Sequence, residues 1–586
     1  MIAQKDCAFT IRPEVLEATA SWLEQSMAPH LIEQFFDESK GQGGRSCAGA
    51  FSILGYLAVK AALLAIPRVP SDAEAFRVMQ QLTDAQLTRL GMTPAVRTAT
   101  YGAFAGWIAR RLAPLDPGFD LPARRVTNAT HRRHIAARSP ETQESVELAA
   151  HRLHTVVNLI VSASVDDCQP AGICGDMVVD ESVVDLAGPS AGLGSRDDKH
   201  RAAAYAGAYY VRDRTDNSVN TGGEMVRSVK KVGFGIGVTA VTRVGSPDDL
   251  YGVPPVITGI AIHQPTSASV EGMTRALQAH ADNGFAPARG SRMRLPYLTV
   301  DMGYNQKQHF NDACVELGYS PVVRYPRSWR TLWASSGREH CVRGVPAGPV
   351  QISGDFYCPC AASLSRGMPL VRKTDEMRDA DCFDQQDRRL ERLLPLLMGT
   401  NSRPYRARAQ GRPRKDADPD MGSMRIDLVC PAVQGRVRCP LKPASMMADP
   451  SVVTVQPSWG PEAYRCCSQS QVTVTYSKDQ WRMATWGLTP GSWEHTVYFE
   501  AARALTEQRF SILKSPHITG FSDLRWSARR EPAIALLIAL WVGTANRSIQ
   551  DSHAARRQRG RSSIARRFRM IEEDLGRPPV RLPART

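Results

Sequence analysis

The 586-residue chain has little that would place it in or across a membrane. Its N-terminus has no basic stretch followed by an apolar one, so we predict that it carries no secretory signal. The longest apolar run, AIALLIALWV from Ala533 to Val542, is too short to cross a bilayer and predicts a buried helix. We therefore expect a cytoplasmic protein without a membrane partner.

Two common nucleotide-binding patterns are also missing. No G-x-x-x-x-G-K-[ST] loop occurs, so nothing in the sequence indicates NTP hydrolysis. The run GFGIG, from Gly233 to Gly237, lies in a strand pattern that no helix follows, which excludes a dinucleotide fingerprint. The candidate functional residues are therefore the acidic, basic and sulfur-containing side chains.

The thirteen cysteines include no C-x2-C pair, the spacing typical of a zinc knuckle. Without a secretory signal, we expect free thiols or metal ligands and not a disulfide framework. We favour free cysteines packed in a core over zinc ligands, which stay the alternative. Three pairs resemble zinc ligands in spacing, namely Cys358 with Cys360, Cys430 with Cys439, and Cys466 with Cys467.

The charge balance favours a polyanionic partner. The formal net charge is +15, whereas the hydrophobic content of 43% and the charged content of 22% are those of an ordinary globular protein. Nucleic acid is the commonest partner of so basic a chain, and we prefer it to an anionic membrane surface because no amphipathic basic helix stands out.

Periodicity divides the chain into regions. Apolar residues recur at helical spacing up to about residue 168, and from Gly172 onward Val-rich and alternating runs predict strands. The predicted order β-β-β-α-β-α-β, followed by a late helix, is that of a ribonuclease H-like α/β fold on a mixed sheet. We predict five regions: 1–168, helical and a candidate DNA-binding domain; 169–326, the first part of the catalytic domain; 327–490, a large, partly β insertion containing cysteines; 491–550, the last part of the catalytic domain; and 551–586, a basic tail.

Two aspartates occupy informative places in the predicted strands. Asp180 lies near the centre of the run VVDES, with Asp176 on the same side of the strand, and we favour Asp180 over Asp176 as the residue that faces a site. Asp301 ends the strand LTVD, where a β-α loop begins and where ligands collect in α/β sheets. The alternatives are an exposed turn for Asp180 and a helix N-cap for Asp301.

The helix-forming stretch EAARALTEQRFSILK contributes a third acid. Arg503, Glu507 and Lys514 are spaced R-x3-E-x6-K, which places all three on one stripe of a helix. If Glu507 met the two aspartates, the three carboxylates would bind Mg²⁺, which prefers oxygen ligands and supports phosphoryl displacement. Arg503 and Lys514 would neutralise phosphate charge beside such a site.

The blocks VVDESVV, LTVDMGYN and R-x3-E-x6-K resemble the three catalytic blocks of bacterial insertion-sequence transposases of the DDE class, in the branch with a Y-R-E-K signature. The resemblance covers about residues 172–325 and 494–550. It implies a catalytic and metal-binding triad of Asp180, Asp301 and Glu507, with Arg503 and Lys514 contacting DNA.

The same resemblance implies the wider function. The protein would bind the terminal inverted repeats of its own element as a homodimer, cleave the ends with Mg²⁺ or Mn²⁺, and join them to target DNA in the bacterial nucleoid.

One position departs from the signature, because Glu500 stands where the family has Tyr, and Tyr498 lies on the opposite face of the helix. Glu500 lies on the same stripe of the helix as Glu507, so it is a second candidate for the third metal ligand. A decayed, DNA-binding descendant and a nuclease without strand transfer are the rival interpretations.

Overall fold

The structure is a computed structural model that describes most of the chain. The described residues are 11–39, 49–122, 124–188, 200–201, 204–213, 229–287, 294–305, 307–325, 344–364, 369–400, 403–407, 424–515, 522–526, 529–556 and 563–584. Most of the basic segment 403–422 and residues 557–562 of the arginine-rich C-terminal stretch lie outside these ranges.

The described N-terminal residues form helices, as the apolar periodicity predicts. Several helices begin at Ser or Thr residues whose hydroxyl accepts the backbone N–H of the first turn, as Ser71 and Ser139 do. The helices α1 to α8 span Pro13–Gln25, Ala28–Ser39, Ile53–Ala65, Asp72–Gln81, Asp84–Arg89, Tyr101–Leu112, Asn128–Ala136 and Pro140–Ser162. Short 3₁₀ helices here and later span Pro94–Thr98, Ala113–Leu115, Pro359–Ser363, Leu394–Leu396, Pro443–Met447 and Pro461–Ala463.

A mixed sheet lies at the centre of the fold, and it confirms the predicted α/β class. Its main strands run in the order β6-β5-β2-β7-β8, with β2 antiparallel to β5, β5 antiparallel to β6, and β7 parallel to both β2 and β8. The strands β1 to β8 span Val126–Thr127, Met177–Asp185, His200–Arg201, Ala208–Asp213, Val229–Arg243, Ile257–His263, Tyr297–Val300 and Ser320–Val322.

Helices pack against the strands of this sheet in two separate cores. The helix predicted around residues 305–318 is shorter than expected and is preceded by one turn of helix directly after β7. The helices α9 to α11 span Ser269–Asp282, Met302–Asn305 and Phe310–Leu317. Apolar side chains of α1 to α6 and α8, of β5 and β6, and of the late helix Glu531–Arg556 share one core. The N-terminal helices are therefore packed onto the sheet.

The region between β8 and residue 493 contains a second, antiparallel sheet. Strand β13 is its centre and pairs with β11, β12 and β14. Strands β9 and β10 form a separate antiparallel pair. The elements of the whole region are β9 Val350–Ile352, β10 Asp355–Tyr357, α12 Thr374–Asp379, α13 Phe383–Leu393, β11 Gly399–Thr400, β12 Tyr405–Arg406, β13 Met424–Val429, α14 Arg465–Ser468, β14 Gln471–Thr475 and α15 Lys478–Met483.

Three helices follow this region: α16 Trp493–Leu513, α17 Glu531–Arg556 and α18 Ser563–Leu575. The last of them lies in the segment predicted as a basic tail, yet its Ile564 and Ile571 are buried in the core that α16 also enters. Residues 563–575 are thus a packed helix and not an extended tail.

The apolar run of α17 is buried as predicted. Among the described residues, Glu531–Ala555 alone has the length and composition of a membrane span, and 78% of its most apolar window is buried inside the protein.

Candidate functional site

The two strand aspartates lie side by side on neighbouring strands. Asp180 is in the middle of β2, opposite Ala240 of β5, and Asp301 is the first residue after β7. Since Val179 pairs with Val300 in the parallel β2–β7 ladder, the register places the next residue of each strand together. Asp180 is buried within a strand, so the alternative of an exposed turn is wrong.

Asp301 combines a local role with a role in the site. Its Oδ1 accepts the N–H of Met302 at 2.7 Å, and its carbonyl accepts the N–H of Tyr304, which starts the short helix α10. Its Oδ2 is free of these bonds and lies 3.4 Å from Arg503 Nη2. The predicted N-cap alternative and the predicted site role therefore apply to different oxygens of one side chain.

The late helix brings the third acid to the same place. Helix α16 begins after Ser492, whose hydroxyl accepts the N–H of His495, and it buries an apolar face that includes Val497 and Leu505. Arg503 and Glu507 are one turn apart on another face, with Arg503 Nε 3.4 Å from Glu507 Oε1.

Arg503 joins all three carboxylates. Its Nη1 lies 2.8 Å from Asp180 Oδ2, and its other nitrogens make the 3.4 Å contacts to Asp301 and Glu507. Burial lowers the pKa of this guanidinium, but the surrounding carboxylates outweigh burial and raise it. Arg503 is therefore a fixed positive charge at the point where the three acids converge.

The solvent exposure of the three acidic side chains increases from Asp180 through Asp301 to Glu507. The Asp180 side chain is 13% exposed, that of Asp301 is 43% exposed and that of Glu507 is 63% exposed. Burial raises the pKa of Asp180 to about 6, Arg503 opposes the shift, and the neighbouring Asp301 adds to it. Asp180 thus forms the base of the site, and Glu507 stands at its mouth.

A cavity of about 730 Å³ opens beside these acids. Lys514 lies on its wall and donates from Nζ to the carbonyl of Val183 at 2.8 Å, so its ammonium is held against β2. The space is large enough for a phosphodiester and several waters. Its lining comprises Asp180, Glu181, Ser182, Thr266, Ser269, Asp301, Gly303, Tyr304, Lys307, Arg503, Glu507, Phe510, Ser511, Lys514 and Ser515.

Glu181 and Lys307 belong to this cavity although sequence reasoning missed them. Glu181 accepts the N–H of Thr266 at 2.7 Å and the hydroxyl of Ser269 at 2.8 Å, which ties the β6–α9 loop to β2. Lys307 Nζ donates to the carbonyl of Thr266 at 2.7 Å. Alternation along β2 predicts that Glu181 faces away from Asp180. Only its position next to the favoured aspartate could have drawn attention to it.

Asp176, the rival aspartate, has a structural role. It is fully buried, both of its oxygens accept hydrogen bonds from Arg294 at 2.8 Å, and Oδ1 also accepts the N–H of Tyr297. Tyr498 donates its hydroxyl to Oδ2 at 3.2 Å. With its oxygens used in this way, Asp176 does not line the cavity, and Tyr498 is committed to it on the buried side of α16.

Glu500 is also engaged away from the cavity. Its carboxylate accepts the N–H of Thr374 at 2.9 Å and the hydroxyl of the same residue at 2.5 Å. Arg567 Nη1 lies 3.1 Å away and Arg324 Nη2 3.6 Å away. Glu500 therefore links α16 to α12 and α18, and it is not positioned with Asp180 and Asp301 as a third ligand.

The donor set of the three acids suits a hard cation. Carboxylate oxygens are the ligands that Mg²⁺ prefers, and the adjoining cavity leaves room for the waters that this ion retains. In the described part of the chain, no three His, Cys, Asp or Glu side chains are already grouped around a metal position. Here the positive charge between the acids is that of Arg503, so binding of a cation requires this guanidinium to withdraw.

Comparison with known proteins found no matching family model, no similar curated protein and no similar solved structure.

Proposed function

We propose that the chain is a DNA transposase of the DDE class, which cleaves the ends of its own element and joins them to target DNA. The observation that carries the proposal is the contact of one guanidinium, that of Arg503, with all three acids of the triad, Asp180, Asp301 and Glu507. These acids come from two adjacent strands and a helix that are distant in sequence, and they adjoin a cavity of suitable size.

The topology supports a ribonuclease H-like catalytic domain. In the strand order β6-β5-β2-β7-β8, the first three strands in the chain pair antiparallel, and the two later ones extend the sheet in parallel on the other side of β2. That is the arrangement expected of this fold. Strand β4 only lengthens one edge, since it pairs with the first half of β5.

Asp180, Asp301 and Glu507 would hold the divalent cations. When bound, Mg²⁺ or Mn²⁺ would activate the attacking oxygen and stabilise the departing one. Arg503, once released from the acids, would pair with a DNA phosphate, and Lys514 and Lys307 would contribute further positive charge at the cavity wall. Glu181 would fix the β6–α9 loop beside the DNA through its bonds to Thr266 and Ser269.

The net charge of +15 agrees with a DNA partner. Because two transposon ends have to be cut and joined, the function implies at least a homodimer on DNA and a place in the bacterial cytoplasm, with no membrane partner.

Cleavage of DNA that carries the flanking inverted repeats tests the proposal. Asp301→Ala should abolish Mg²⁺-dependent strand cleavage and leave binding of the ends nearly unchanged, because Asp301 is half-exposed and holds few structural contacts. Asp312→Ala, which changes a partly exposed aspartate of α11 outside the cavity, is the matched control and should cleave normally. Cleavage by the Asp301→Ala variant would overturn the site assignment.

One observation favours a second candidate, a decayed DNA-binding descendant. Glu500 replaces the signature Tyr and is held by Thr374, Arg324 and Arg567, so no aromatic side chain is available at that position to hold a phosphate. Specific binding of the ends without cleavage in Mg²⁺ or Mn²⁺ would support this candidate. Cleaved ends that are never joined to target DNA would indicate a nuclease.

A further inference from the structure

Six cysteines of the inserted region surround one small cavity. The described part of the chain contains ten free cysteines, and more than half of them meet at this place, in a space of about 20 Å³. Such a space holds little more than one water molecule. The six are Cys358, Cys360, Cys430, Cys439, Cys466 and Cys467.

These cysteines come from three segments that are far apart in the sequence. Cys358 and Cys360 follow β10, Cys430 and Cys439 follow β13, and the remaining pair forms the centre of the short helix α14. Packing of apolar side chains needs no such concentration of one residue type, since Val or Ala fills a core equally well. Soft metal ions, by contrast, are bound by thiolates gathered from distant segments.

The backbone around the cysteines is arranged to stabilise thiolates. Cys358, Cys430 and Cys439 are each followed by proline, which has no N–H, and the next backbone N–H turns back to the sulfur. Bonds of this kind, from backbone N–H to the metal-bound sulfur, tune and orient ligands in thiolate metal sites.

A positive charge lies beside the six sulfurs, because Lys442 also lines the cavity. Lys442 is fixed at the cavity by donation from Nζ to the carbonyl of Gln469 at 2.8 Å.

We propose that this cysteine cluster is a structural zinc site, in which at least four of the six sulfurs bind Zn²⁺ tetrahedrally. Each thiol that binds the ion releases its proton to solvent. Among the described residues the thiols have not yet closed around a common point, so binding would draw them into the cavity. The ion would tie β10, β13 and α14 together and so stabilise the inserted region.

The metal content of the full-length protein, purified without chelator and without a metal-affinity tag, tests the proposal. We expect at least stoichiometric zinc by plasma mass spectrometry. After exchange with Co²⁺, we expect the absorption bands of tetrahedral cobalt bound to thiolates. This second measurement uses the unaltered chain, so it does not depend on whether a variant folds.

Cysteine variants locate the site. A triple variant with alanine at Cys358, Cys430 and Cys467 removes one sulfur from each segment and leaves three, fewer than a tetrahedral site needs, so it should lose most of the bound zinc and unfold at a lower temperature. Cys382→Ala is the matched control, because this cysteine is equally buried in the same region but does not line the cavity. It should keep the full zinc content.

Two results would overturn the zinc proposal: a folded protein with no zinc after incubation with the ion, or zinc retained by the triple variant. The measurements need no DNA cleavage, so their outcome is independent of the proposed transposase function.

Discussion

Arg503 Nη1 lies 2.8 Å from Asp180 Oδ2, deep in the cavity where the two strand aspartates meet. The same guanidinium reaches Asp301 and Glu507, so it supplies in this conformation the positive charge that a divalent cation would supply in the active one. On the proposed function, Arg503 and a divalent cation would therefore compete for the same oxygens. DNA would shift the balance, because a phosphate offers Arg503 another partner.

This competition makes a prediction about Arg503→Gln. Without DNA, the variant should bind Mn²⁺ about tenfold more tightly than the wild-type chain, a gain of about 1.4 kcal/mol, because no internal cation has to be displaced. Calorimetric titration measures this. Cleavage should fall nevertheless, since the phosphate partner is gone. Equal or weaker Mn²⁺ binding would show that the guanidinium does not compete with the ion.

Asp176 and Asp180 are four residues apart, and replacing each by Asn should change the stability of the protein in different ways. Asp176→Asn should lower the free energy of unfolding by about 2 kcal/mol, because it weakens the charged hydrogen bonds that both oxygens of this buried carboxylate accept from the partly exposed Arg294. Asp180→Asn should leave stability unchanged or raise it, because burial disfavours the ionised form of this side chain and Arg503 keeps two other acidic partners.

Denaturation by urea measures stability, and the cleavage assay measures activity, for both aspartate variants. Asp180→Asn should be stable and inactive. If instead Asp176→Asn is the stable and inactive variant, the assignment of the two aspartates has to be exchanged.

Glu500→Tyr restores the residue of the Y-R-E-K signature, yet we predict that it lowers stability and does not increase DNA cleavage. The carboxylate accepts two hydrogen bonds from Thr374 and faces Arg324 and Arg567 in a largely buried position. Its loss should cost about 1 to 3 kcal/mol of stability. Cleavage per folded molecule should not rise. Increased cleavage would mean that the signature position acts in catalysis here as well.

The main strands could be predicted because the sequence alternates or is rich in Val where they occur. Strand β4 could not, because the Tyr-Tyr-Val run of Ala208–Asp213 does not alternate and the strand is stabilised by pairing with the first half of β5. The helix predicted around residues 305–318 begins only at Phe310, because the backbone of His309 before it is left-handed, with φ 64°.

The site was predictable in part. The spacing of Arg503 and Glu507 predicts their contact along the helix, but the contact of Arg503 with Asp180 and Asp301 depends on how α16 crosses the sheet. Asp176 and Asp180 share one side of a strand pattern, and they are distinguished by partners more than a hundred residues away, Arg294 for Asp176 and Arg503 for Asp180. The six cysteines lack a zinc-knuckle spacing, so their convergence became visible only in three dimensions.

His495 should make the protein sensitive to mild acid. The imidazole is buried, its Nε2 lies 3.0 Å from the carbonyl oxygen of Val323, and burial lowers its pKa to about 4, with Arg324 adding to the shift. An unfolded histidine titrates near its ordinary pKa of about 6.5. The stabilisation from a neutral His495 is therefore complete above about pH 6.5 and is lost progressively as the pH falls toward about 4.

We predict that His495→Gln reduces this acid sensitivity, because glutamine can keep a donor near Val323 but does not bind a proton. Between about pH 7.5 and about pH 5, the wild-type chain should lose about 2 kcal/mol more stability than the variant, since one pKa unit corresponds to about 1.4 kcal/mol. Urea denaturation at the two pH values measures the difference. His151→Gln, at an exposed position of α8, should behave like the wild-type chain. Equal losses in the wild-type chain and in His495→Gln would show that His495 is already charged in the folded protein, or that the acid sensitivity resides in other groups.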